Sequence, residues 1–319
     1  MRIKKIVSII FILILFQGCD MIIKIKLYVR INNESDEIFI NRNTTTKSYN
    51  ITEFNQQGRL YFLAKIWGKI KYRVISNNSN LNEVLIETIP KIITANNISS
   101  FNNELILFFN KTLEEEQLNC FENSALENTD AATKSWIENP LYFSNETKKF
   151  LNILTSEKLL NKSSFIEQNS FGNIKIVNNL KHNNLFPEIP NRLYGLFDYW
   201  NVIDNFYVHK EIMNNQWDSV LYNTIPNFIN CKDSNEYNKA ILKLTSLLND
   251  THVYTSSEII DNVIFGRNIP PFSLYRFDDR FYVDELYLKD FKTLQVGDEI
   301  KTINNIHINH LYDSIKIYK

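Results

Sequence analysis

The chain writes one helical pattern twice, and any fold it adopts must accommodate both copies. Arg59, Leu60, Tyr61, Trp67 and Ile70 recur as Arg192, Leu193, Tyr194, Trp200 and Ile203, an offset of 133 (192 minus 59). Val84, Leu85, Thr88, Ile89, Pro90 and Ile93 recur as Val220, Leu221, Thr224, Ile225, Pro226 and Ile229, an offset of 136 (220 minus 84). The three-residue change in offset falls between two helical patterns, where a loop tolerates insertion. Duplication of a helical module explains this order better than chance matches in an Ile-rich chain. It predicts equivalent buried sites for Trp67 and Trp200, and likewise for Pro90 and Pro226.

Apolar spacing specifies the helices of the second copy. Leu193, Leu196, Trp200, Ile203 and Tyr207 recur three or four apart and form one apolar stripe. Val220, Leu221, Ile225 and Phe228 form a second, which Pro226 is expected to kink or end. A third follows Asp233, whose carboxylate suits the free amides of the next turn while Glu236 reaches back; its buried face is Tyr237, Ile241, Leu244 and Leu248. In the first copy Asn80 with Glu83 opens one helix and Ser100 the next, which buries Phe101, Leu105, Phe108 and Leu113. The run Glu114-Glu115-Glu116 reads as a solvated helix surface. Residues 119–190 are irregular, with a short helix at 131–138, and the prolines of 185–190 make a hinge.

A 319-residue chain with 44% hydrophobic residues can hold two or three cored domains. Its net charge of -1 argues against a nucleic-acid partner held through phosphates. Seven glycines with no Gly-x-Gly pair argue against a phosphate-cradling loop, and no cofactor is expected. Arg2, Lys4 and Lys5 precede an apolar run from Ile6 to Phe16, about half the roughly 20 residues of a spanning helix. This reads as a signal peptide ending at Gly18-Cys19, with Cys19 as the lipid-bearing residue of a membrane-anchored lipoprotein. An ordinary signal with a chance cysteine is the alternative. Cys120 and Cys231 read as buried free thiols, with a disulfide between them as the alternative. Alternation from Ile23 to Ile31 predicts a strand, 32–36 a turn, 37–40 a returning strand and 41–50 a linker.

After Tyr254 the pattern changes to short strands: Ser273 to Phe277, a turn at Asp278-Asp279, then Phe281 to Leu288. The run LQVGDEI from Leu294 to Ile300 resembles the middle of a PDZ domain. The resemblance implies that Gly297 takes a turn a Cβ disfavours, that Asp298 caps it, that Ile300 enters the core and that Leu311 to Tyr318 supply most of a following helix. Gly-x-Ser-x-Gly is absent, and no serine has a recognisable base, so no catalytic residue is assigned. Asp250 and His252 are the weak functional candidates, in an Asp-x-His pair where the helices end; the preferred role for His252 is structural, oriented by Asp250. His307 and His310 lack a third ligand for a metal, and no metal site is assigned.

RLYGLFDYWN, QWDSVL, TIPNFIN and NDTHVY resemble the helical region ahead of the PDZ domain in tail-specific (carboxy-terminal processing) serine peptidases, the family that includes the tricorn protease core. LQVGDEI followed by INNIHI resembles the middle of a PDZ domain. The likeness runs from about Gly58 to the end of the sequence and does not reach a catalytic core. It departs at His209, where an aromatic-Pro pair is common, and at Val74-Ile75, where His-Pro is common. It implies an α+β fold: signal 1–19, strands and linker 20–57, helical modules 58–185 and 186–258, and an incomplete PDZ-like unit 259–319. The implied function is the non-catalytic portion of an exported, lipid-anchored serine peptidase of a bacterial envelope. A peptide or unfolded protein would be its substrate partner, bound by strand addition. A non-catalytic envelope lipoprotein that binds peptide ends is the alternative.

Overall fold

The computed structural model describes residues 15–17, 20–22, 49–73, 80–113, 136–154, 165–168, 174–177, 184–207, 217–248, 250, 253, 255–268, 270–288 and 293–318. Strands β1 (Leu15–Gln17) and β2 (Asp20–Ile22) pair antiparallel. Helices α1 (Gln56–Arg73), α2 (Leu81–Thr94), α3 (Ile98–Thr112) and α4 (Asn145–Ile153) follow. The hairpin of β3 (Ile166–Gln168) and β4 (Ile174–Ile176) leads to α5 (Ile189–Phe206), α6 (Trp217–Asn230) and α7 (Ser234–Ser246). A π-helical turn at Ile260–Ile264 precedes β5 (Phe272–Phe277), β6 (Arg280–Leu286), β7 (Thr302–Ile303), β8 (Ile306–His307) and α8 (Ile308–Ile315). The fold is α+β, rich in helix, with small antiparallel sheets of two strands each among the described residues. The strands expected at 23–31 and 37–40, most of the helix expected at 131–138, and Cys19, Cys120, His209 and His252 lie outside the described residues.

Local chemistry sets the helix starts. Asp233 Oδ1 accepts the Glu236 amide at 2.9 Å, and Glu236 Oε2 reaches back to the Lys232 amide at 2.9 Å. α3 opens differently from expectation: Asn97, not Ser100, is its cap, and the Asn97 side chain accepts the Ser100 amide while Ser100 Oγ accepts from Asn97 N. The two short polar side chains exchange bonds, so Ser100 sits one turn into the helix. Asn80 precedes α2 but makes no side-chain cap bond.

Pro226 does not end its helix, and neither proline has the burial expected of it. Pro90 and Pro226 lie inside α2 and α6, and both helices run on to Thr94 and Asn230. Nor are they buried: Pro90 is exposed and Pro226 half-buried. On an outward face the carbonyl freed by a missing N–H can turn to water, so the helix survives the proline. Trp67 and Trp200, in contrast, are both fully buried.

The first two helices of each set match in length as well as in sequence, while the third differ, 15 residues in α3 and 13 in α7. α1 and α5 each span 18 residues and begin 133 apart (189 minus 56); α2 and α6 each span 14 and begin 136 apart (217 minus 81). Arg59 donates to the carbonyls of Ile92 and Ile93 at the end of α2; Arg192 donates to those of Ile229 and Cys231 at the end of α6. Each guanidinium thus satisfies carbonyls that a helix end leaves open. α1 packs on α6 while α5 packs on α2, and α1 crosses α5. The expected single stripe on α5 is therefore too narrow: every residue from Arg192 to Ile203 is buried. A helix covered on all sides is a core helix, and here its polar positions Asp198 and Asn201 are buried with the rest.

The last unit hangs from α7. Ser257 Oγ bonds Asn238 Oδ1 at 2.7 Å and caps the π-helical turn through the Ile260 amide, and Ser246 Oγ donates to the Ile317 carbonyl at 2.8 Å. β5 and β6 form a hairpin with an irregularity at Ser273/Leu274. Gly297 has φ +95 and donates to the Val283 carbonyl, while Asp298 Oδ2 accepts the Gln295 amide at 2.7 Å. A turn through Asn304 and Asn305, both at positive φ, joins β7 to β8. α8 begins at Ile308, three residues before the expected start.

Candidate functional site

Asp250 stands where the end of α5 meets the chain leaving α7. Tyr207, the residue that ends α5, donates its hydroxyl to Asp250 Oδ2 at 3.0 Å. Burial and then the Asp250 carboxylate push the Tyr207 hydroxyl well above its ordinary range. Tyr199 is fully buried, and its hydroxyl has no hydrogen-bond partner among the described residues. Burial, then Tyr207 and Asp250, raise it too. These groups hold protons rather than release them, and Asp250 serves as an acceptor that fixes the end of α5. The pairing of Asp250 with Tyr207 was not foreseen; His252, its expected partner, lies outside the described residues.

A second cluster, which the sequence reading missed, lies at the crossing of α1 and α5. Lys71 Nζ sits 2.6 Å from Asp198 Oδ1, both side chains wholly buried, and Tyr72 donates to the same oxygen at 2.9 Å. The ammonium lies over the rings of Trp67 (4.6 Å), Phe165 (5.1 Å), Tyr72 (5.3 Å) and Tyr194 (5.8 Å). Burial lowers the Lys71 ammonium from its ordinary value, against the pull of Asp198, and burial with Asp198 raises the Tyr72 hydroxyl well above its own. Nearby, Lys65 pairs with Asp218 at 3.0 Å and bonds the Tyr61 hydroxyl at 3.2 Å. Burial works against the Lys65 charge, but Asp218, Tyr61 and Asp204 outweigh it and hold the ammonium above its usual range. A lysine lowered by desolvation is the raw material of amine nucleophiles. Here the carboxylate and four rings close around it, and the arrangement clamps two helices instead.

Other candidates carry less. Cys231 is a half-buried free thiol that donates to the Asn227 carbonyl at 2.8 Å, and burial raises its pKa, away from reactive thiolate. His307 and His310 rings lie 5.9 Å apart, and His307 Nδ1 accepts the Asn309 amide at 3.3 Å as a helix cap. Among the described residues no three His, Cys, Asp or Glu side chains gather to hold a metal, and no helix is long and apolar enough to cross a membrane. No family model, curated protein or solved structure matches the chain.

Proposed function

We propose that the chain is the helical and peptide-binding portion of an exported, lipid-anchored serine peptidase, without a catalytic centre of its own. The observation that carries this reading is the order of the last unit. A hairpin is followed by a Gly297-Asp298 turn bonded back to Val283, a second short hairpin, and then a helix. This order supports a PDZ-like unit, in which peptide ends add as a strand to an open sheet edge. Cys19 carries the lipid in this proposal, and Asp250 with His252 serves the junction rather than chemistry.

The helical part is a duplicated module. Support comes from the equal lengths of the first two helices in each copy, the two constant offsets and the paired roles of Arg59 and Arg192 at Ile93 and Ile229, themselves 136 apart (229 minus 93). Each third helix also holds one buried asparagine, Asn102 or Asn238, that bonds the serine capping the next helical segment, Ser144 or Ser257.

The test uses cells and purified protein together. Wild-type protein is expected to take up a lipid analogue that Cys19→Ala does not, and the purified chain to bind peptides with a free carboxylate while ignoring a serine-directed phosphonate. Equal labelling of both proteins removes the anchor. Phosphonate capture at any serine overturns the absence of a catalytic centre. Anchoring without peptide binding leaves a lipoprotein of different purpose.

A further inference from the structure

The point where α1 crosses α5 has room for one side chain, and it is filled from one side only. A Cβ on Gly68 would lie 1.7 Å from Asn201 Oδ1. Gly68 and Asn201 are themselves equivalent positions of the repeat (201 minus 68 is 133), so the two copies meet at the same place in each. Asn201 Nδ2 donates to the Ala64 carbonyl at 2.9 Å and to the Phe197 carbonyl at 2.9 Å. Those two acceptors are also equivalent (197 minus 64 is 133). One amide therefore sits between two matching sockets and serves both.

The charges around it are divided in the same way. Lys65 and Lys71 on α1 correspond to Asp198 and Asp204 on α5, again at an offset of 133. Lys71 pairs with Asp198, and Asp204 is one of the carboxylates that hold Lys65 protonated. Pairing two first modules would set lysine against lysine with no amide between the carbonyls. Pairing two second modules would set aspartate against aspartate and two asparagines in the space for one. Like charges in an interior of low dielectric repel strongly, and an overfilled crossing forces the backbones apart.

We propose that this crossing is a recognition surface whose one fitting partner is the unlike module: the first module takes the second and rejects a copy of itself. The proposal rests on the duplication reading. It explains why Asn201 is wanted on one helix and glycine on the other, which neither helix requires by itself. It also assigns a role to the buried ions: they choose the partner by making the like-with-like pairing costly.

Exchanging the two residues tests it in the full chain. Gly68→Asn alone is expected to lower the melting temperature sharply, because two amides then compete for one space. Asn201→Gly alone is expected to lower it less, by removing the side-chain donor that the Ala64 and Phe197 carbonyls share in addition to their helical bonds. The double exchange, Gly68→Asn with Asn201→Gly, is expected to melt above Gly68→Asn and to recover most of its loss, since the amide then enters from the opposite helix and finds the same two carbonyls. A double exchange that melts no higher than Gly68→Asn overturns the proposal. Superposing the two halves in a crystal structure of the wild type separates this from the reading beneath it. Halves that superpose while the exchange fails remove the recognition surface alone, and halves that do not superpose remove both.

Discussion

Tyr199 and Lys71 show what burial does to a polar group with and without a partner. The Tyr199 hydroxyl is buried and unbonded among the described residues, so Tyr199→Phe is expected to stabilise the protein by about 1 kcal/mol at neutral pH, measured by urea denaturation. Its proton has a second consequence. Tyr61, Tyr72, Tyr199 and Tyr207 all have raised pKa values, burial being the first cause in each. Above about pH 10 the unfolded chain loses these protons and the folded one keeps them. Stability present below that pH is therefore lost as pH rises, and Tyr199→Phe should flatten the loss. For the ion pair, Lys71→Met or Asp198→Asn should each cost about 3–5 kcal/mol, because each strands a buried partner. Lys71→Met with Asp198→Leu should cost much less than the sum, and additive losses would rule out a direct pair. Little of this was legible in the sequence. Trp67 and Trp200 announced their burial by spacing, but Lys71 and Asp198 lie 127 residues apart, and no local pattern says that two charges so separated will share a core.

Helix periodicity carried further than helix punctuation. The apolar spacing of α2, α3, α6 and α7 was readable because each has one face toward its neighbours, and their buried residues fall on it. α5 was misjudged as a one-sided helix because its other faces are covered by α1 and α2, which local spacing does not encode. The burial expected of Pro90 and Pro226 failed because the repeat says that two positions correspond, not that either faces inward. The docking of the following segments was invisible for a similar reason: Asn102 and Ser144 are 42 residues apart, Asn238 and Ser257 only 19. Those bonds predict a matched pair of effects. Asn238→Ala should speed amide exchange in 258–265 by about ten- to a hundredfold while sparing α4, and Asn102→Ala should do the reverse. Uniform acceleration across both would mean that neither asparagine holds its own segment.

For the molecule as a whole, the sequence disclosed the order of parts more clearly than their assembly. The change of period after Tyr254 announced the short strands that follow the helices, but not the small β1–β2 and β3–β4 pairs that lie before and among them. The candidate site was half-seen: Asp250 was named, but its bond to Tyr207 joins residues 43 apart and no spacing rule predicts it. The crossing of α1 and α5 also has a meaning in time. Its contacts join segments about 130 residues apart, and closing so long a loop adds little to the entropic cost of a shorter one, since that cost grows only with the logarithm of length. The separation is thus cheap for the finished molecule and slow for the forming one, because rate suffers from distant contacts far more than stability does. Made from its first residue onward, the chain completes α1 long before α5 exists, and the buried lysine must wait in water for its aspartate. Any factor that binds the chain in that interval meets α1 as an apolar, positively charged surface, and the arrival of α5 takes that surface out of reach.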